Sequence, residues 1–329
     1  MSRKTIVIGS NSFSGAALCE HLLAQDYEVI GISRSAQPIA ELLPHAKSTR
    51  GQFSFYQWDI NKHLHLIENL IDKEKPAYIY NFAAQSMVGQ SWTTPEHWFL
   101  TNTVSTVKLF NLLRKKEWLN RYVHISTPEV YGNCTGLKVE STDYYPSTPY
   151  ATSRAAADMS LKNFHDVYEF PYISTRAANV YGAGQQLYRI IPKTILCALL
   201  GRKLNLHGGG HSERSFIEIS DVSSATQLIA ENGRLGHTYH ISTSRTISVR
   251  MLVSMICEQL GVNFSAVVVE SSDRKGKDDA YLLDATKLRH ELGWRDQITL
   301  EEGIARTVTW VKDNLEILCE QPFEYIHKP

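Results

Sequence analysis

The chain has 329 residues, with 34 basic and 34 acidic side chains and no formal net charge. That balance argues against a nucleic-acid grip, which needs a basic excess. The longest apolar runs, such as 190–200, fall far short of a bilayer span and are broken by Pro192 and Lys193, so no membrane partner is expected. The length suits one large or two small domains with ample buried core. The five cysteines are scattered, odd in number and without a Cys-x-x-Cys pair, which fits a reduced cytoplasmic interior. No signal peptide is read, because the apolar run 5–8 after Arg3 and Lys4 stops at Gly9. The thirteen histidines show no metal-ligand spacing, so no metal is expected.

The first half alternates short β-branched runs with longer amphipathic stretches. Strands are predicted at 5–8, 28–33, 53–58, 77–82, 122–126 and 172–176. Helices are predicted at 15–24, 62–72, 95–116 and 150–169. The alternation implies an α/β fold: a doubly wound, mostly parallel Rossmann-type sheet with helices on both faces. Strands buried on both faces should be nearly all apolar, and Ile6, Val7 and Ile8 comply. After Asn179 the pattern changes, punctuated by Gly182, Gly184 and Gly208 to Gly210. The expected division is a dinucleotide-binding domain at 1–178 and a smaller substrate lobe, mixed α/β, at 179–329. Strand-like segments within 214–243, at 216–219 and 239–241, are expected to return to the first sheet.

Gly9-Ser-Asn-Ser-Phe-Ser-Gly15 joins the first strand to the first helix. Such a turn leaves outward-facing N–H groups at a helix start, which with the helix dipole favour a pyrophosphate. Gly9 allows the tight turn and Gly15 close packing of helix on strand, while Ser12 replaces the usual middle glycine. An ordinary βα turn is the plainer alternative. The second strand ends in Gly31-Ile-Ser33-Arg34-Ser35, without the acidic residue usual for NAD. Arginine with serine hydroxyls suits a 2′-phosphate, so NADP is favoured over NAD. Asp59 is placed to accept from the adenine amino group, or else to cap a helix.

Tyr150 and Arg154 lie one helical turn apart and share a face. A fixed cation favours the phenolate, lowers the tyrosine pKa and lets it act as a general base toward a substrate hydroxyl. Lysine is usual at the second position; arginine keeps the charge with a different fork. Thr127-Pro128-Glu129 follows a strand end, where ligands sit in open parallel sheets. Thr127 is placed to bond the reacting hydroxyl and Glu129 to reach the adjacent carbon, although a capped turn start reads equally well.

At this point the chain resembles an extended short-chain dehydrogenase/reductase, in particular the nucleoside-diphosphate-sugar 4,6-dehydratases. The resemblance rests on Asn81-Phe-Ala-Ala-Gln-Ser-Met-Val-Gly-Gln-Ser91 and Val123-His-Ile-Ser-Thr-Pro-Glu-Val-Tyr-Gly132. Arg176-Ala-Ala-Asn179-Val-Tyr-Gly182, Arg214-Ser-Phe-Ile-Glu-Ile-Ser-Asp221, the Asp273 to Asp284 run and Leu288-x-x-Glu-Leu-Gly-Trp294 extend it over nearly the whole chain. The later motifs are similar to the dTDP-glucose 4,6-dehydratase type. The resemblance implies a cofactor that is tightly bound and regenerated each turnover, with further contacts at Asn11, Phe13, Ile60, Ala83, Ala84 and Thr101. It implies substrate contacts at Ser86, Asn179, Arg189, Leu206, His207, Arg214 and Arg274, the last two on the diphosphate. It also implies oxidation at hexose carbon 4 by way of Tyr150, loss of water across carbons 5 and 6 by way of Glu129, and hydride return to carbon 6. A homodimer through helices near 95–116 and 150–169 belongs to the same expectation.

Several residues depart from the dTDP-glucose pattern. Pro128 stands where an aspartic acid is usual, and proline donates no proton. The GDP-mannose 4,6-dehydratases also lack that acid, which leaves Glu129 as both base and acid. Met87, His207 and Lys277 replace other common residues and leave the nucleotide and sugar open. A 4-epimerase or a uronate decarboxylase shares the first oxidation. Glu129 favours dehydration over epimerisation, and it is a poor neighbour for a substrate carboxylate. A non-catalytic NADP-binding sensor is the alternative of another class.

Overall fold

The structure is a computed structural model that describes residues 3–134, 136–272 and 282–328. Its centre is a seven-stranded parallel sheet. The strands are β1 (Lys4–Ile8), β2 (Glu28–Ile32), β3 (Gln52–Tyr56), β4 (Tyr78–Asn81), β5 (Arg121–Ile125), β6 (Tyr172–Ala177) and β7 (Thr238–Ile241), in the order β7-β6-β5-β4-β1-β2-β3. The register pairs Ile6 with Ile30 and Ile79, and Val123 with Ile173. Because every strand runs the same way, β1 to β5 all end at one edge, where the sequence places its candidate site.

Helix α1 (Phe13–Leu23) starts at Ser12, whose Oγ accepts from the Gly15 N–H. It is buried on several sides, at Phe13, Ala16, Leu18 and Leu22, because it packs against both the sheet and α7 (Ile219–Asn232). Helix α2 (Leu64–Glu74) covers the opposite face with Ile67, Leu70 and Ile71. On that face Phe110 packs edge-on to Tyr122. A fully buried side chain of this size contributes roughly 1.5–3 kcal/mol relative to exposure.

The helix predicted over 95–116 is present to Leu113 but is not regular throughout. It divides into α3 (Pro95–Phe99), a wide turn of π geometry (Leu100–Ser105) and α4 (Thr106–Leu113). The wide turn delivers Asn102 inward, where its amide accepts from the Gln85 N–H and donates to the Gln85 carbonyl and the Ser153 hydroxyl. A regular helix would carry those partners past one another. Helix α5 (Pro149–Tyr168) agrees closely with its predicted span. Thr148 caps it by accepting from the Ala151 N–H, Pro149 opens it with no N–H to waste, and Glu169 ends it in left-handed backbone at φ 54°.

Of the two segments expected to return to the first sheet, 239–241 does so within β7. Phe216–Glu218 instead pairs with Asn179–Tyr181 in a separate two-stranded sheet. The remaining chain builds a second core of Ile195, Leu196, Leu252, Ile256, Ile304 and Val308. These come from α6 (Ile190–Leu199), α8 (Val249–Leu260) and the helix Leu300–Asp313.

Candidate active site

The turn after β1 is shaped by close backbone approach. Gly9 sits at φ +90°, and a methyl group there would lie 2.7 Å from the Phe82 carbonyl carbon. At Gly15 an added methyl group would meet the Gly9 carbonyl oxygen. Both positions require glycine for that reason. Ser12 is explained by geometry too: its hydroxyl donates to the Gly9 carbonyl at 2.7 Å while accepting from Gly15 at 3.1 Å. It holds the turn through its side chain where a glycine would only permit it.

Asn11 ties this turn to the end of β2. Its N–H donates to the Ser33 hydroxyl at 2.9 Å, and its amide donates to the Ser35 and Ala36 carbonyls. Arg34, half-buried, follows at the same edge. Asp59 is buried beyond β3 and accepts from the Asn61 N–H at 2.8 Å in a local turn, while the N-cap of the following helix is His63. Asn61 in turn donates to Thr101 at 3.0 Å. Phe13 and Ile60 are buried, and Ala83 is fixed through its N–H to the Asn81 side chain. The cofactor candidates therefore gather along one sheet edge around a close-packed glycine turn. That arrangement fits a dinucleotide lying across the strand ends, with its phosphates at the turn.

Thr127 follows β5 and is buried. It caps the short turn Pro128–Tyr131, its hydroxyl accepting from the Glu129 N–H at 3.3 Å. Pro128 occupies the first position of that turn, where a missing N–H leaves nothing unpaired. The Thr127 side chain is also near enough to the Tyr150 phenol to favour its ionised form. Glu129 lies close enough to raise that phenol's pKa, and Arg154 and Arg189 close enough to lower it. Hydroxyl and carboxylate thus both act on the phenol, and Arg189 acts on it from the N-cap of the second region's α6.

Two expectations about the pair need correction. Burial is the largest influence on Tyr150, followed by Glu129, and together they hold the phenol above its ordinary value despite Arg154. The cation moderates the shift and does not reverse it. Arg154 itself is turned inward: it is 2 % exposed and donates from Nη2 to the Ile125 carbonyl.

The substrate candidates are more dispersed. Ser86 is exposed at the loop after β4, and Ala84 is half-buried beside it. Asn179 donates its N–H to the Ser215 carbonyl at 3.0 Å. Leu206 and His207 end the strand Leu204–His207, and the His207 ring meets the Ser271 hydroxyl at 2.9 Å. Arg214 is buried and donates to the Glu213 carbonyl. Arg274 and Lys277 lie outside the described residues. No cluster of three or more potential metal ligands occurs among the described residues, and no described helix is long and apolar enough to cross a membrane.

The sequence reading missed two groups. One is the segment near the chain's end: the Lys328 carbonyl accepts from Gln85 at 2.7 Å, His327 stacks on Trp98, and Tyr325 packs edge-on to Tyr188. Nothing in its local pattern announces such contacts, which span some 240 residues of chain. The other is the polar set of buried His124, Asp158 and Arg176 with half-buried Ser126, on the face of α5 that continues from Tyr150. Asp158 was readable in principle, because it continues the 150, 154 spacing by another turn.

The family model described as GDP-mannose 4,6 dehydratase matches residues 6–307. A dTDP-glucose 4,6-dehydratase of Haemophilus influenzae is 31% identical, covering 93% of this chain and 96% of its own. One of Xanthomonas campestris pv. campestris is 34% identical over 76% of each chain. Among solved structures, the dTDP-glucose 4,6-dehydratase DesIV of Streptomyces venezuelae, solved with NAD bound, superposes with a TM-score of 0.88 at 32% identity, covering 95% of this chain and 98% of its own. With matches of this extent joined to a phenol, a hydroxyl and a carboxylate at the strand ends, the chain belongs to the nucleotide-sugar 4,6-dehydratase family of the extended short-chain dehydrogenase/reductases.

Proposed function

We propose that this chain is a hydro-lyase acting on a nucleoside-diphosphate hexose, of the dTDP-glucose 4,6-dehydratase type. The observation that carries the reading is the convergence of Thr127, Glu129 and Tyr150 beyond the end of β5. A bound nicotinamide supplies reversible storage of a hydride. Tyr150 Oη accepts the proton of the carbon 4 hydroxyl, and Thr127 orients that hydroxyl. The resulting ketone acidifies the hydrogen on carbon 5, which the Glu129 carboxylate removes. The same carboxyl then protonates the hydroxyl leaving carbon 6, since Pro128 has no proton to give. Return to carbon 6 of the hydride taken from carbon 4, with a proton to carbon 5 equal to the one Tyr150 accepted, closes the balance at one water lost and a 4-keto-6-deoxy sugar nucleotide formed. Burial of Tyr150 and Thr127 keeps bulk water from the intermediate. Incubation with dTDP-, UDP-, GDP- and CDP-hexoses followed by mass spectrometry tests this. Loss of one water supports it; an unchanged mass with altered configuration marks a 4-epimerase, and loss of carbon dioxide a decarboxylase.

The finer cofactor reading is NADP, carried by Arg34 at the end of β2. Ser33 accepts from the Asn11 N–H, which leaves its O–H able to donate to a 2′-phosphate beside Arg34. The relative solved with NAD supports NAD as the competing cofactor. Arg34→Asp is expected to weaken NADP binding at least tenfold more than NAD binding, measured by calorimetry on both. Equal losses would return the assignment to NAD. Residues 1–178 are read as the cofactor lobe and 179–329 as the substrate lobe.

A homodimer is read from the outer faces of α3 to α5. Leu100, Val104 and Met159 are each more than two-fifths exposed there. Apolar side chains at helical spacing on neighbouring helices suit pairing with a second copy. Light scattering should give twice the chain mass, and Val104→Glu with Met159→Glu should shift it to monomer. A wild-type monomer would contradict this reading. With the reduced cysteines, the chain is assigned to the cytoplasm.

A further inference from the structure

Residues 150, 154 and 158 share one face of α5, and all three are buried. The third, Asp158, has no part in the mechanism above. Its Oδ2 accepts from the Ser126 hydroxyl at 2.6 Å and from Arg176 Nη2 at 2.8 Å. Its Oδ1 lies 3.4 Å from His124 Nε2. Arg176, on β6, also donates to the Tyr131 and Tyr144 hydroxyls and to the Ser141 carbonyl. A single carboxylate therefore ties together α5, the end of β5, β6 and the loop before α5.

The charge count under Tyr150 is uneven. Arg154 and Arg176 are 2 % and 1 % exposed, and Asp158 is the one carboxylate bonded to this buried set among the described residues. Burial keeps His124 below its ordinary value and hence neutral, even though Asp158 acts the other way. Burial also opposes ionisation of Asp158, yet Arg176, His124 and Arg154 hold its carboxyl well below the usual range. Two cations thus face one anion. The groups that act on the phenol itself are Glu129, Arg154 and Arg189. Arg154 is the link between the two sets: its Nη2 lies 3.4 Å from the same His124 Nε2 that faces Asp158 Oδ1, and its charge bears on both Asp158 and Tyr150.

We propose that Asp158 is a positioning residue for the Tyr150–Arg154 pair: through Arg154 it sets how much buried positive charge is left to act on Tyr150, and through Ser126 it clamps the strand end that carries Thr127 and Glu129. An arginine at 154 makes this necessary. A guanidinium withdrawn from water needs an anion near it, and the next turn of the same helix supplies one. Asp158 never touches the sugar.

The proposal rests on Tyr150 being the proton acceptor, but its test reads the phenol without substrate. Failure to turn over any nucleotide sugar would therefore count against the proposed function and leave this test intact. The full chain is labelled with [ζ-13C]tyrosine, and the Tyr150 resonance is assigned by its loss in Tyr150→Phe. Its titration midpoint is then followed by NMR. Asp158→Asn keeps the shape and removes the anion, so the midpoint should fall by about half a pH unit, about threefold in ionisation constant. Arg176→Met removes the competing cation, so the midpoint should rise by a similar amount. In an Arg154→Met background the Asp158→Asn shift should vanish. Simple loosening of the helix would move Asp158→Asn and Arg176→Met in the same direction, and that result overturns the proposal. So does an unmoved midpoint in either variant, or a shift that survives loss of Arg154. Should one variant lose the wild-type near-ultraviolet circular dichroism, the sign of the other's shift decides.

Discussion

Tyr150→Phe is expected to lower kcat by roughly 10²–10⁴, the range typical for loss of a positioned general base. The phenyl ring fits the same buried place, so folding and nucleotide-sugar binding should hold while hydride transfer stops. Single-turnover absorbance at the reduced-nicotinamide band checks this, and normal transfer in Tyr150→Phe would remove the phenol from the mechanism. The pH profile gives an independent reading. Burial and Glu129 raise the phenol above its ordinary value, so its proton stays on through neutral pH in the ligand-free molecule. The acceptor form is the phenolate, which grows as pH rises toward that midpoint. Oxidation at carbon 4 should therefore speed up by about tenfold per pH unit on the acid side of the midpoint and then level off. A profile that falls with rising pH over that range would assign the opposite protonation state.

Glu129→Gln is the second large effect, and it should divide the reaction. Tyr150 and Thr127 remain, so carbon 4 oxidation persists, whereas water loss should fall by roughly 10²–10⁴. The amide cannot take the carbon 5 proton, and it is isosteric enough to keep the short turn Pro128–Tyr131. Mass spectrometry for the loss of water and exchange of the carbon 5 hydrogen in deuterium oxide are the two measurements. Unchanged turnover would exclude Glu129. Because Pro128 offers no alternative acid, the loss should exceed that seen where two carboxyl groups share the work. Replacing Pro128 by Asp in the Glu129→Gln background supplies a test of that sharing. Partial recovery of water loss would mark position 128 as close enough to serve the leaving hydroxyl.

The alternation of strands and helices and the glycine turn were legible along the chain, as were the three side chains proposed to react. Each depends on local rules. Strand period and β-branching place Ile6 to Ile8, Gly9 suits a backbone that only glycine adopts easily, and the 150, 154 spacing sets one helix face. Ser12 reads in sequence only as a replaced glycine because a cap and a permissive glycine look unrelated there, although both close the same turn.

What the tertiary structure alone decided concerns competition between distant groups. Whether the phenol of Tyr150 is pulled down by Arg154 or pushed up by burial and Glu129 depends on three-dimensional distance and desolvation, which spacing cannot report. The π segment within the 95–116 helix likewise goes with the bonds of Asn102 to Gln85 and Ser153, partners 17 and 51 residues away. Local chemistry therefore wrote the fold class and the reacting groups into the sequence. Packing fixed their charge balance, because burial and Coulomb interactions act through space and not along the chain.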